Sequence, residues 1–160
     1  MASERQPDED FRVLSPAAFE FVLHNELKRA VRSQNFLTLV HLEPTLRTAS
    51  AASAAGRDEA VREIAKLISR DVRETDLLAH TDQGRLSLVL LDADLPNSIG
   101  VIDRLMSRLD HYEFPQPLAI EVGAACCPTH GADVDTLRRA AAARPVHPRR
   151  DTRGGASNAQ

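Results

Sequence analysis

Tryptophan is absent from this sequence, and aromatic residues of all kinds make up only 4% of it. Proteins that bind single-stranded nucleic acid use aromatic side chains as stacking platforms, and nucleic-acid binders in general present a basic field to the phosphates. This chain has little of either, because its net charge is −3 and its pI is about 6.1. We therefore expect no nucleic-acid partner.

Long hydrophobic runs are also missing. No apolar run approaches the roughly 20 residues that a membrane-spanning helix requires. The first ten residues, Met1 to Asp10, are polar and acidic, whereas a secretion signal has an apolar centre. These two absences predict a cytoplasmic protein with no membrane partner.

Cysteine is scarce, since the only two are the neighbours Cys126 and Cys127. Adjacent cysteines have poor geometry for an ordinary disulfide, so a reducing compartment fits. A redox pair is one interpretation, and we favour the other, that they are small residues buried in a strand. The six histidines are scattered, without Cys or His neighbours at the spacing of zinc ligands. We predict no structural metal and no cofactor.

A hydrophobic content of 42% is enough for one core in 160 residues. We expect a single globular domain over residues 13–144. It lies between a flexible N-terminal tail, residues 1–12, and a disordered C-terminal tail, residues 145–160, which has almost nothing apolar to bury.

The periodicity of apolar residues predicts the first two elements of the domain. Ser15-Pro16 is a typical helix start, and an apolar residue then recurs every four positions at Phe19, Leu23, Leu27 and Val31, which predicts a helix to Ser33. Residues 36–42 are apolar and partly β-branched, and Pro44 follows them, which predicts a buried strand.

The rest of the domain is also predicted to consist of helices and strands. Apolar residues at helical spacing predict one helix over 61–72 and another over 99–109. Between these helices, residues 76–80 and 86–91 are predicted to form a hairpin. A strand over 118–126 and a last helix from about 133 to just before 145 complete the domain. Without the first and last helices, the order is strand, helix, strand, strand, helix, strand. This order predicts an α+β, two-layer fold of the split β-α-β (ferredoxin-like) type, an antiparallel sheet with helices on one face, plus flanking helices.

One region resembles the surroundings of the GGDEF signature of bacterial diguanylate cyclases. The segment Asp82-Gln83-Gly84-Arg85-Leu86 stands where that family has Gly-Gly-Asp/Glu-Glu-Phe. In the same ungapped register, His41-Leu42-Glu43 falls on the family's Asp-x-Asp, and Arg57-Asp58 begins its Gly-Asp-x-x-Leu. Residues 120–125 resemble its Val-Ser-Ile-Gly-Val-Ala strand. The resemblance covers about residues 13–143 and implies a GGDEF, nucleotide-cyclase-like fold.

The resemblance also implies that the catalytic acids are lost. Diguanylate cyclases join two GTP molecules with metal ions that carboxylates hold. In this chain the first metal-binding Asp corresponds to His41, and the acidic pair of the signature corresponds to Gly84 and Arg85. Asp82 and Gln83 replace the two glycines, and Asp58, with Glu43 nearby, is what remains of the acids. We expect a degenerate domain, a pseudoenzyme without a metal.

The family's product site, which binds cyclic di-GMP through Arg-x-x-Asp and a further Arg, corresponds to Arg73, Asp76 and Arg104. Guanidinium groups can donate to guanine O6 and N7, while a carboxylate accepts from its N1 and N2 hydrogens. The alternative is structural, with Arg73 at a helix end, Asp76 in a turn and Arg104 on a solvated helix face. As these positions are expected to be exposed, substituting them should change fold stability little.

The sequence thus predicts a catalytically inactive GGDEF-like regulatory module. It leaves open whether the module is a cyclic di-GMP receptor that acts through protein–protein interaction or a nucleotide-independent scaffold. Residual cyclase activity resting on Asp58 and Glu43 is the least favoured alternative. A protein partner is expected, and homodimerisation remains open.

Overall fold

The structure of the protein is a computed structural model that describes residues 13–46, 54–81, 84–114 and 117–151. In these residues the elements follow in the order α1 (Pro16–Ser33), β1 (Leu37–Leu46), α2 (Ala54–Asp71), β2 (Leu77–Thr81), β3 (Arg85–Leu91), α3 (Leu95–His111), β4 (Leu118–Cys127), α4 (Val134–Ala143) and β5 (Pro145–Asp151). Within the described ranges, no helix combines the length and the apolar character needed to cross a membrane.

The five strands form one sheet in the order β2-β3-β1-β4-β5. All four pairings between neighbours are antiparallel. The strands β1 to β4 with α2 and α3 between them have the split β-α-β arrangement, so the predicted fold class is confirmed.

Helices cover both faces of this sheet. The helices α2 and α3 share one apolar cluster with Val40 and Leu42 of β1, whereas α1 and α4 share the other with Leu37 and Leu39. Because successive strand residues point to opposite faces, these two clusters lie on opposite sides. The prediction of helices on one face therefore holds for α2 and α3, and the flanking helices α1 and α4 form a third layer.

Helix α1 begins and ends as the sequence predicts. The Ser15 side chain accepts a hydrogen bond from the Ala18 N–H at 3.2 Å, and Gln34 ends the helix in the left-handed conformation, with φ 60°. The predicted stripe is wrong at its last position, because Val31 is 47% exposed and Ala30 is 6% exposed. Steps of four residues drift around a helix of 3.6 residues per turn, so the third step leaves the buried face.

Strand β1 is longer than predicted. It passes through Pro44, which pairs with Ile120 of β4, and ends at Leu46. Beyond Leu42 the strand has β4 as its described neighbour and is no longer paired with β3. A proline, which lacks the backbone N–H, is tolerated where one side of a strand is unpaired.

The prediction of a disordered tail from residue 145 onward is wrong for residues 145–151. These residues form β5 along the edge of β4, with Gly123 opposite Pro145 and Ala119 opposite Asp151. Backbone pairing at a sheet edge needs no apolar side chains, so composition did not reveal it. The predicted tail of residues 1–12, residues 152–160, and Asp82 and Gln83 lie outside the described residues.

The interpretation of the cysteines as buried strand residues is confirmed. Cys126 and Cys127 are free and buried at the end of β4. Burial raises the pKa of both thiols above their usual value, which lowers their nucleophilicity at neutral pH.

Candidate functional site

A cleft of about 1000 Å³ opens on the sheet face that α1 and α4 cover. His41 and Glu43 reach it from β1, and Arg85 reaches it from the start of β3. Three of the residues that the sequence placed at the degenerate active site are therefore brought together. The other described ones, Asp58 and Gly84, are not among the described residues that line the cleft.

An ion pair crosses from β3 to β1 in this cleft. The Arg85 Nε lies 3.3 Å from the Glu43 Oε2, and both side chains are about half exposed. This pair places a guanidinium directly beside the Glu43 carboxylate. Glu43 is thereby less available as a metal ligand.

His41 lines the cleft together with Arg138 and Arg85. Its Nδ1 is 3.2 Å from the Ser87 Oγ, within hydrogen-bonding distance. Burial, together with the positive charges of Arg138 and Arg85, lowers the pKa of His41 to about 4, and Glu43 opposes the shift. The imidazole is therefore neutral at pH 7.

The sequence reasoning missed a second ion pair, which closes the cleft between α4 and α1. Arg138 donates to both carboxylate oxygens of Glu20, from Nη2 at 2.9 Å and from Nη1 at 3.5 Å. His24 Nε2 lies 3.3 Å from the same carboxylate. The hydrogen bond from Arg138 lowers the pKa of Glu20. The spacing of Glu20 and His24 could have indicated a helix-surface pair, but Arg138 is 118 residues away and gives no local signal.

Asp58 and Gly84 have other surroundings. Asp58 is exposed near the start of α2. Gly84 has φ +73°, and a Cβ at this position would lie 2.7 Å from the Cδ of Arg57. The positive φ favours glycine here, whereas the flexible Arg57 side chain could move aside. Across the described part of the chain, no group of three or more His, Cys, Asp or Glu side chains could hold a metal ion.

Arg73 and Asp76 form a compact hydrogen-bonded unit between α2 and β2. The Asp76 Oδ2 accepts from the Arg73 N–H and Nε, at 3.1 and 3.4 Å. The Oδ1 accepts from Arg73 Nη2 and from the Leu91 N–H, both at 3.2 Å. The Asp76 side chain is only 3% exposed, whereas that of Arg73 is 59% exposed. The expectation that both are exposed is therefore wrong for Asp76.

Arg104 is not part of this hydrogen-bonded unit. It lines a groove of about 500 Å³ between α2 and α3, with Leu67 on one wall and Arg108 and His111 on the other. Among the described residues, Arg104 has no hydrogen bond or ion pair with Arg73 or Asp76. The structure thus joins Arg73 and Asp76, two members of the predicted cyclic di-GMP site, by hydrogen bonds, whereas the third, Arg104, lines a groove that they do not line.

Known structures identify the fold. No protein-family model matches the chain, and no curated protein matches it. The GGDEF domain of PA1120 (TpbB or YfiN) from Pseudomonas aeruginosa is similar, with a TM-score of 0.69 and 20% identity over 84% of this chain and 83% of that one. The FimX GGDEF domain from the same organism gives a TM-score of 0.71 and 16% identity over 89% and 91%.

A third similar structure contains a ligand. The GGDEF domain of DgcB from Caulobacter crescentus, in complex with c-di-GMP, gives a TM-score of 0.69 and 13% identity over 89% of this chain and 90% of that one. All three comparisons cover most of both chains. The chain has the fold of GGDEF domains, which confirms the fold that the sequence resemblance implied.

Proposed function

We propose that the protein is a catalytically inactive signalling module with the GGDEF fold, which acts by associating with another protein. The observation that carries this proposal is the ion pair between Arg85 and Glu43. In the register of the resemblance, Arg85 stands at the Glu of the signature and Glu43 stands in the metal-binding Asp-x-Asp segment. The pair therefore fills the region where a cyclase would need its metal.

Phosphoryl transfer between two GTP molecules depends on divalent cations that neutralise the developing charge. Magnesium needs hard oxygen ligands, and at the position of the family's Asp-x-Asp it would meet a Glu43 carboxylate that is already paired and the neutral imidazole of His41. The Arg85 guanidinium, a few ångströms away, would repel a divalent ion by several kcal/mol even at an effective dielectric of about 20. The repulsion from Arg85 and the shortage of unpaired oxygen ligands both disfavour metal binding at Glu43.

The test is a synthesis assay with GTP and either magnesium or manganese, in which we expect no cyclic di-GMP. Heat-inactivated protein is the background control. Product that depends on the metal and disappears in Asp58→Asn would contradict the proposal, because it would show that the remaining acids suffice.

A second candidate function is reception of cyclic di-GMP at Arg73. The exposed guanidinium of Arg73 and the DgcB complex with c-di-GMP favour it. Against it, both oxygens of Asp76 already accept internal hydrogen bonds, so the guanine N1 and N2 hydrogens would have to compete with Arg73 and Leu91. Arg73 is therefore the residue on which recognition would depend.

Calorimetric titration with cyclic di-GMP tests this second candidate. If it is correct, Arg73→Gln weakens binding roughly fivefold or more, the equivalent of about 1 kcal/mol. The matched control is Arg62→Gln, at an exposed arginine of α2, which should bind like the wild type. Absence of any binding heat in the wild type excludes reception and leaves the nucleotide-independent scaffold.

A further inference from the structure

Helix α1 exposes two large apolar side chains. Among the described residues, the large hydrophobic side chains that are exposed are Phe21 at 70%, Val31 at 47% and Phe36 at 43%. Phe21 and Val31 belong to α1 and are ten positions apart, which places them within about 80° of each other around the helix and about 15 Å apart along its axis. The residues that α1 buries are Phe19, Leu23, Leu27 and Ala30. Phe21 and Val31 therefore lie away from the core.

This outer face of α1 is positively charged as well as apolar. We define it as the arc of about 100° around the helix axis that contains both Phe21 and Val31 and extends to Arg32. Its residues are Ala17, Phe21, His24, Lys28, Val31 and Arg32, which are all exposed. Lys28 and Arg32 are cationic, and no residue of the arc is acidic. Because the whole chain has a net charge of −3, this face differs in charge from the molecule as a whole.

The two carboxylates of α1 pair with arginines outside this face. Glu20, at the border of the arc, accepts a hydrogen bond from Arg138 of α4 at 2.9 Å. The side chain of Glu26 is 21% exposed, and its Oε2 lies 3.8 Å from the Arg29 Nη2. The carboxylates of the helix are thus engaged elsewhere, and the outer face keeps its positive charge.

Exposed apolar side chains that lie together with cationic ones are a feature of protein–protein interaction sites. We propose that the outer face of α1 docks a segment of another protein in which apolar side chains are flanked by carboxylates. Phe21 and Val31 pack against the apolar side chains of that segment, and Lys28 and Arg32 pair with its carboxylates. The inference rests on the proposed association with another protein, and not on catalytic inactivity.

Two other occupants fit this face less well. A second copy of the chain would bring its own Lys28 and Arg32 against those of the first copy, and like charges repel across an interface. An anionic lipid surface would attract the outer face but repel a chain whose net charge is −3. An acidic protein segment can instead confine its carboxylates to the region that faces Lys28 and Arg32.

The first test places the photo-crosslinker p-benzoylphenylalanine in place of Phe21, in the full chain and in cells of the source organism. The position is exposed and the replacement is aromatic, so the fold should be unaffected. After irradiation, the cross-linked segment is sequenced by mass spectrometry. We expect apolar residues flanked by Asp or Glu. A segment without carboxylates, a second copy of this chain or a lipid would overturn the proposal.

A synthetic peptide with the sequence of the cross-linked segment gives the quantitative test. Lys28→Glu should weaken its binding to the full chain roughly fivefold or more, because an attraction becomes a repulsion. Arg62→Glu, at an exposed arginine of α2, is the matched charge reversal and should bind like the wild type. The proposal is overturned if the wild type and Lys28→Glu bind the peptide equally well.

Gel filtration of native cell extract separates a failure of this inference from a failure of the proposed function. We expect the wild type to elute as a complex and Lys28→Glu to elute as the free chain. A complex that survives Lys28→Glu would show association through another surface and would overturn this docking site alone. A wild type that elutes as the free chain would overturn both the docking site and the proposed association.

Discussion

The Asp76 carboxylate links the residue before β2 to the end of β3, because its Oδ1 accepts a hydrogen bond from the Leu91 N–H at 3.2 Å. The same oxygen accepts a hydrogen bond from Arg73 Nη2. The hairpin formed by these strands carries Arg85 at its other end, beside the cleft. A single buried carboxylate thus organises the turn that leads from α2 into the hairpin. Its contribution to the fold can be measured independently of any ligand.

Asp76→Ala should lower the free energy of unfolding by about 1–3 kcal/mol, because it leaves the Leu91 N–H without its acceptor and removes the hydrogen bonds that Asp76 accepts from Arg73. The measurement is urea unfolding followed by far-ultraviolet circular dichroism. Glu59→Ala, at an exposed carboxylate of α2, is the control and should change stability by about 0.5 kcal/mol or less. Equal urea midpoints for the wild type and Asp76→Ala would show that these hydrogen bonds contribute nothing.

Gly123→Ala should destabilise the protein, because a Cβ on Gly123 would lie 2.1 Å from the backbone oxygen of Ala141. Helix α4 would have to move away from β4, at a cost of about 1–3 kcal/mol or more. Gly100→Ala is the matched control, since its Cβ would meet nothing within 4 Å and alanine is favoured over glycine inside a helix by about 0.5–1 kcal/mol. The two variants should therefore shift the melting temperature in opposite directions. A Gly123→Ala variant as stable as the wild type would refute the close approach of α4.

His41 should make stability depend on pH. Its pKa is about 4 in the folded protein and about 6.5 in an unfolded chain, so the unfolded state binds more protons between these values. Stability is then fully present above about pH 6.5 and is lost as the pH falls toward 4, by about 3 kcal/mol at most at 1.36 kcal/mol per pKa unit.

The check is to measure the free energy of unfolding from pH 4 to pH 7 for the wild type and His41→Asn. The difference between them should grow in favour of the variant as the pH falls. His111→Gln, at an exposed imidazole, controls for the loss of a histidine. If the free energy of unfolding depends on pH in the same way for the wild type and His41→Asn, the imidazole of His41 is not buried in its neutral form.

Truncation after Arg144 should lower the melting temperature, because it removes β5 and with it the pairing along β4 and the packing of Val146 against the core. The comparison is truncation after Asp151, which retains β5. If the two truncated proteins melt at the same temperature, β5 contributes nothing to stability. The loss of the strand would also expose the backbone groups of β4 at the sheet edge.

The order of the elements from α1 to α4 could be predicted because each of them carries a local signal. Ser15 and Pro16 mark the start of α1, and apolar periodicity marks the other helices and the hairpin. Strand β5 could not be predicted, because an edge strand is held by backbone hydrogen bonds that any composition can make. Pro44 misled the prediction of β1 because its effect depends on which neighbours the strand has at that point.

The candidate site was predicted only in part. The resemblance placed His41, Glu43 and Arg85 together, and the structure puts all three in one cleft. The pairing of Arg138 with Glu20 joins two helices at opposite ends of the chain, so no pattern within a short window could show it. The burial of Asp76 results from the tertiary contact with Leu91. Arg-x-x-Asp spacing alone does not distinguish a ligand site from a turn clamp.

Strand β5 also affects whether a strand of another molecule can pair with the edge of the sheet. It is the outermost strand beside β4, and its sequence includes Pro145, Pro148 and consecutive arginines. Prolines lack the backbone N–H and therefore cannot donate a hydrogen bond to an incoming strand. The β5 edge therefore offers fewer backbone donors to an added strand, and at the opposite edge, beside β2, an added strand would compete with Leu14.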